Sequence, residues 1–366
     1  MALSTRAAVL YAFGEPLVVD TVTLKPPRED EVVVKMAASG VCHSDLSVQQ
    51  AKLPFPPPAV LGHEGAGVIA EVGKRVTTLA PGDHVVLSWV ENCGQCHYCT
   101  VGRVHLCDRS QQAMMMGQEA VFEKDGIDIA RMAGVGSFAE YTVVRATAAV
   151  KIDPAIPLDR ACLVGCGVMT GVGAAVNTAH VQPGETVAVF GCGGVGLNVI
   201  QGAALCGAGR IIAVDLNAKK LELARVFGAT DVVQPAPGED AASRVRELTA
   251  GLGVDYAFEV VGVPALITQA FLATKRGGKA VVVGVPPMGQ DVAIPGFSLP
   301  LEEKSVIGSL YGSANMRRDM PRLLDLYMQK RLKIDELVSR RIRLDEVNGA
   351  FEAMERGEVA RSVIVF

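Results

Sequence analysis

A predominance of one charge sign is absent from this sequence: 35 basic residues stand against 39 acidic ones, with no long run of either. That balance argues against nucleic acid or an anionic membrane surface as the main partner. Internal repeats and low-complexity tracts are also lacking. The opening MALSTRAAVLYAFGEP has no charged n-region followed by a long apolar core, so a cytoplasmic, reducing setting is expected. One uncharged stretch, 186–209, has the length of a membrane span, but seven glycines with Asn198 and Gln201 interrupt it. It reads as a buried strand, a tight turn and a buried helix. With 366 residues the chain has room for two domains with well-buried cores.

The first third carries short β-type runs set off by Gly and Pro, among them 31–35, 67–72 and 84–89. These predict strands of a mostly antiparallel, barrel-like unit. Beyond Asp153-Pro-Ala-Ile-Pro157 apolar strands alternate with helix-length segments, the pattern of βαβ units around a parallel sheet. Strands are expected at 186–190, 210–214, 231–233, 256–260 and 279–285, the last at the sheet edge. A helix is expected over 218–227, ended by Gly228. The tail from Pro321 reads as two helices and a last strand, 362–366.

Cysteine is where the sequence is informative. Cys93, Cys96, Cys99 and Cys107 fall within fifteen residues, and thiolates so spaced can close a tetrahedral shell around zinc. A shell of four sulfurs leaves no open position, so such a site is structural. Cys42, His63 and Cys166 would make a Cys₂His set with a vacant fourth position. They are far apart in the chain, so spacing alone does not join them. His63 also reads as a satisfied polar residue on a turn, and Cys166 as a small core residue. Asp45 would orient His63, and Glu64 would add an oxygen ligand or a neighbouring charge. Cys162, Cys192 and Cys206 read as packing residues.

Gly191-Cys-Gly-Gly-Val-Gly196 satisfies G-x-G-x-x-G between an expected strand and an expected helix. Gly191, Gly193, Gly194, Val195 and Gly196 would bring backbone N–H groups to a pyrophosphate at the helix N-terminus. Asp215, ending the next strand, would accept hydrogen bonds from ribose hydroxyls and repel a 2′-phosphate, favouring NAD. Lys220 would add a donor to the same ribose.

Taken in order, Gly40-Val-Cys-His-Ser-Asp45, Gly62-His-Glu64, the four-cysteine cluster, Gly165-Cys-Gly-Val-Met-Thr-Gly171 and the nucleotide turn resemble zinc-dependent medium-chain alcohol dehydrogenases over essentially the whole chain. The resemblance extends to Gly253–Gly262 and to Arg361–Phe366. It implies an α/β protein: a doubly wound parallel Rossmann sheet plus a mostly antiparallel, GroES-like catalytic domain. The catalytic domain would span 1–167, the NAD-binding domain 168–310, and 311–366 would return to the catalytic domain. It implies two zinc ions per subunit, a catalytic one on Cys42, His63 and Cys166 and a structural one on the other four cysteines. Ser44 would take the substrate proton, and His43 and Arg361 match positions that contact the cofactor pyrophosphate. Many relatives carry a histidine where this chain has Ser47, which leaves the outer step of the proton relay open.

The implied reaction is reversible oxidation of a primary alcohol, aliphatic or aromatic, to an aldehyde, or of a secondary alcohol to a ketone, with hydride transfer to NAD. A thiol-dependent formaldehyde dehydrogenase is the alternative, and a non-catalytic cofactor-binding scaffold is one from another class. Trp89 would narrow the substrate pocket or anchor the core. Met114-Met-Met116 would line the outer pocket or fill a gap. The partner is a small-molecule alcohol or aldehyde, and a homodimer is expected, with a tetramer as the other option.

Overall fold

The computed structural model describes residues 3–116, 120–236 and 238–366, without the side chains of 114–116, so the expectation for Met114–Met116 lies outside the described residues. Two compact units divide the chain: Met1–Gly167 with Asn315–Phe366, and Val168–Ala314. The return falls slightly later than 310. Tyr311–Ser313 stays with the second unit because Asn177 donates to the Gly312 carbonyl at 3.1 Å and Gly173 packs on the Gly312 backbone.

In the first unit a five-stranded barrel is built from Leu3–Leu10, Val18–Leu24, Phe122–Lys124, Ile127–Arg131 and Ala59–Val60. Beside it runs a seven-stranded sheet organised on Glu31–Val41. That long strand pairs antiparallel with Glu64–Val72, Tyr141–Arg145 and Arg361–Val365. Its side chains alternate between an aliphatic cluster holding Val33 and Val41 and another holding Val32, Val34 and Met36, as a period of two requires when both faces are covered. Register then does the functional work. Gly40 pairs with Glu64 and Val41 with Ser362, so the residues flanking those pairs, Cys42, His63 and Arg361, meet at one end of the sheet.

All six described strands of the second unit's sheet run parallel, in the order Asp231–Val233, Arg210–Val214, Thr186–Phe190, Val254–Glu259, Thr274–Val282, Ser305–Gly308. The order reverses between Thr186–Phe190 and Val254–Glu259, the switch point outside which ligands bind in doubly wound sheets. The helix Ala218–Phe227 shows how local chemistry sets these elements. The Asn217 side chain accepts the Lys219 N–H at 3.0 Å, Gly228 ends it at φ 115°, and Leu221, Ala224 and Phe227 are its buried face. One expectation is corrected: the strand at 279–285 is not at the edge, because Ser305–Gly308 pairs along its outer side. That short segment alternates burial weakly, so its sequence carried little strand signal. No single helix among the described residues is long and apolar enough to cross a membrane.

Candidate active site and metal centres

At the sheet end, one ligand atom each from Cys42, His63, Glu64 and Cys166 lies within 4.8 Å of all the others, and all four residues are buried. Cys42 leads into the short helix His43–Gln49, whose third residue is Asp45. Fully buried, the Asp45 carboxylate accepts from the Cys42 N–H at 2.9 Å and the Gly62 N–H at 3.1 Å. Its Oδ1 lies 2.9 Å from His63 Nδ1. The pairing sets the tautomer, with Nδ1–H toward Asp45 and the Nε2 lone pair left for a metal. Cys166 arrives on a break between Cys162–Gly165 and Gly167–Gly173. Gly165 makes that approach possible, since a Cβ there would lie 2.8 Å from the Leu87 carbonyl and 3.6 Å from Glu64 Cα.

Glu64 completes the cluster. Its Oε1 accepts from the Gly167 N–H at 3.0 Å and lies 3.5 Å from the Arg361 guanidinium. Its Oε2 is buried without a hydrogen-bond partner. Two glycines clear the space. A Cβ on Gly40 would stand 2.1 Å from Glu64 Oε2, and one on Gly167 would stand 2.7 Å from Arg361 Nη2. Burial pushes the Glu64 carboxyl up to about 7 even with Arg361 beside it. The Cys42 thiol is held well below its ordinary value by a hydrogen bond from Cys166, then by Arg361 and His63. Burial disfavours the charged His63 imidazole, yet Asp45 and Cys42 hold its pKa well above the usual value. Two thiols, an imidazole and a carboxylate converging at the sheet end form a donor set suited to zinc.

In the second cluster, ligand atoms of Cys93, Cys96, Cys99 and Cys107 also lie within 4.8 Å of one another. The Cys93–Cys99 and Cys96–Cys107 sulfurs are each 4.0 Å apart. Thiolates at about 2.3 Å from zinc stand about 3.8 Å from each other in a regular tetrahedron, so the cage is close to its loaded size. Backbone N–H groups point inward, Cys93 N–H to Cys107 Sγ and Cys96 N–H to Cys93 Sγ, both at 3.3 Å. N–H groups of Gln95 and Cys96 bring the Cys93 thiol down to about 6.

Other expected residues fall as follows. Ser44 is half-buried with Oγ 3.9 Å from Cys42 Sγ. His43 is exposed, whereas Arg361 is buried, with Nη2 3.8 Å from Cys42 Sγ. Trp89 is partly buried and packs against the cluster that includes Leu79, Val85 and Leu87. In the second unit Gly191–Gly196 joins the strand Thr186–Phe190 to the helix Gly194–Leu205. A Cβ on Gly196 would lie 1.9 Å from the Gly191 carbonyl, so only glycine permits this turn. Asp215 accepts from the Cys192 N–H at 2.8 Å and the Asn217 N–H at 2.9 Å, one on each oxygen. Lys220 is half-exposed on the helix that follows. Sequence reasoning missed the Glu64–Arg361 pair and the spacing role of Gly40 and Gly167. The only signal for them was glycine beside a candidate ligand.

Residues 28–154 match the alcohol dehydrogenase GroES-like domain, and residues 194–329 match the zinc-binding dehydrogenase domain. An NDMA-dependent alcohol dehydrogenase of Amycolatopsis methanolica is 42% identical over 99% of both chains. This chain belongs to the zinc-dependent medium-chain alcohol dehydrogenases. Within that family, an S-(hydroxymethyl)glutathione dehydrogenase of Escherichia coli is 39% identical over 99% of this chain and 100% of its own length. Among solved structures, a benzyl alcohol dehydrogenase of Acinetobacter calcoaceticus superposes with a TM-score of 0.92 at 34% identity, covering 100% of this chain and 99% of its own. Membership makes the chain a zinc oxidoreductase, which sets aside the non-catalytic scaffold.

Proposed function

We propose that the enzyme reversibly oxidises a primary alcohol, aliphatic or aromatic, to its aldehyde, with NAD as hydride acceptor and zinc held by Cys42, His63 and Cys166. The observation that carries the reading is the buried convergence of those three ligand atoms with Glu64 within 4.8 Å. Zinc, when bound, supplies acidity: it lowers the pKa of water by about nine units, worth about 12 kcal/mol. The dinucleotide, when bound, supplies the hydride acceptor.

This chain's residues do the rest. Asp45 keeps the proton on His63 Nδ1 and the ring in its ligating orientation. Arg361 and the Gly167 N–H hold Oε1 of Glu64, whose carboxylate stands among the ligand atoms as a ligand held in reserve. Ser44 Oγ, beside Cys42, takes the substrate proton. With serine rather than histidine at 47, proton release beyond Ser44 runs through water. The turn Gly191–Gly196 offers its N–H groups to the pyrophosphate. Asp215 accepts the adenosine ribose hydroxyls, its charge disfavouring a 2′-phosphate, and Lys220 donates to the same ribose. His43 and Arg361 supply positive charge for the pyrophosphate. Cys93, Cys96, Cys99 and Cys107 hold the structural zinc.

A second reading, oxidation of an S-hydroxymethyl thiol conjugate, draws support from the Escherichia coli relative. Reduced-cofactor absorbance, followed with NAD or NADP against ethanol, benzyl alcohol, a secondary alcohol and S-hydroxymethylglutathione, separates the readings. Activity surviving in folded, metal-free protein would overturn the zinc role. We further propose a homodimer in a reducing, cytoplasmic setting. Six of the nine cysteines fall in the two metal-ligand clusters, a use of cysteine that fits a reducing compartment. The long link from Cys107 to the strand Tyr141–Arg145 resembles dimeric relatives, and a tetramer in sedimentation analysis would overturn the dimer.

A further inference from the structure

Glu259 ends the strand Val254–Glu259 on the switch-point side, in register with Phe190, the residue before the glycine turn. It is fully buried. One oxygen, Oε1, accepts three successive backbone N–H groups: Val261 at 2.9 Å, Gly262 at 2.8 Å and Val263 at 3.3 Å. The Glu259 carbonyl accepts from the Val283 N–H at 2.8 Å and the Gly284 N–H at 3.0 Å. One residue thus ties the loop after its own strand to the loop after the next. Its Oε2 is buried without a partner and lies over Gly284, where a Cβ would be 2.8 Å away. Burying a carboxyl group with one oxygen unpartnered is costly.

The loop it holds packs on the nucleotide turn. A Cβ on Gly191 would lie 2.5 Å from Val261 Cγ2 and 3.2 Å from Val260 Cγ2, and one on Gly196 would lie 3.1 Å from Val260 Cγ2. Val260 also donates its N–H to the Phe190 carbonyl at 3.1 Å. The turn has no side chains of its own at these positions, so its outer wall is the pair Val260–Val261. Glu259 places that wall.

We propose that Glu259 is a positioning residue for the cofactor: its carboxylate holds Val260–Val263 in the shape that presets the turn Gly191–Gly196 for the dinucleotide. The inference rests on the NAD reading above. Disturbing the carboxylate should therefore weaken cofactor binding while leaving the two metal-ligand clusters, which lie in the other unit, unchanged.

The test measures NADH dissociation constants by fluorescence titration on wild-type, Glu259→Gln and Glu259→Ala enzymes, each with two zinc ions per subunit. Val245→Ala, a buried core change on the helix Ala241–Leu248, serves as a control for general destabilisation. Glu259→Ala should raise the constant about tenfold, equivalent to about 1.4 kcal/mol. Glu259→Gln, which keeps a neutral acceptor, should raise it about threefold. KM for NAD should follow, while KM for the alcohol and the zinc content stay at wild-type values. Val245→Ala should bind NADH normally despite a lower melting temperature. Normal NADH affinity in Glu259→Ala, or in Glu259→Gln where the alanine variant does not fold, overturns the proposal. So does an equal loss in Val245→Ala. Wild-type enzyme that binds no NADH would overturn the cofactor reading itself, and this inference with it.

Discussion

Asp45 touches no substrate, yet it joins the backbone before the metal cluster, the Cys42 and Gly62 N–H groups, to the ring of His63. Asp45→Asn should retain the shape and lose the charge, lowering zinc affinity at this site by about 10–100-fold. Competition with a chelator, reading one zinc per subunit released early, checks this. Gly40 acts by having no side chain. In Gly40→Ala the new methyl would meet Glu64 Oε2 at 2.1 Å and Leu163 Cδ2 at 2.8 Å, neither at the end of a free, exposed chain. Displacing Glu64 leaves Arg361 buried without its carboxylate, a defect that costs about 3–5 kcal/mol. Denaturant unfolding of Gly40→Ala should show a loss of that order, and an unchanged midpoint would refute the packing argument.

The four-cysteine lobe is an element with little core of its own. Its helical pieces, His97–Thr100 and Val104–Leu106, are single turns, and most of the lobe's side chains are at least partly exposed. Segments this short do not hold helical form alone, so a metal held by the four cysteines would supply folding free energy here. Cys96→Ser is expected to bind one zinc per subunit instead of two and to melt at lower temperature, as elemental analysis and a thermal scan would show. Retention of both metals in soluble Cys96→Ser enzyme would refute the ligand assignment. The lobe is also tied down at its root. Glu91, just before Cys93, has Oε2 3.0 Å from Arg145 Nε, and its carbonyl accepts the Ser110 hydroxyl at 2.9 Å.

Across the first unit, that root belongs to a buried ion network linking barrel to sheet. Arg131, from the barrel strand Ile127–Arg131, is 2% exposed. Its guanidinium lies 3.4 Å from Glu31 and 3.7 Å from Glu91, and it donates to the Val143 carbonyl. Removing the cation would take a guanidinium from the buried Glu31 and leave Glu91 to Arg145. Arg131→Met is predicted to cost about 3–5 kcal/mol of stability, measured by denaturant unfolding, with NADH affinity of the folded protein unchanged because the nucleotide turn lies in the other unit.

Sequence alone determined the elements whose chemistry is local. The strands at 186–190, 210–214 and 231–233 and the helix at 218–227 were legible because apolar runs and Gly228 punctuate them. The zinc-enzyme class was legible because thiols recur at ligand spacing and glycines mark a nucleotide turn. Tertiary structure decided the rest. Ser305–Gly308 is a strand only because Thr274–Val282 offers it a partner. Cys42, Glu64 and Arg361 meet only through the pairing of Gly40 with Glu64 and Val41 with Ser362, a register set by how two faces of a sheet are buried. Spacing along the chain identifies ligands that sit within one loop. Ligands brought from three distant segments become a site only when the backbone hydrogen bonds between those segments are made.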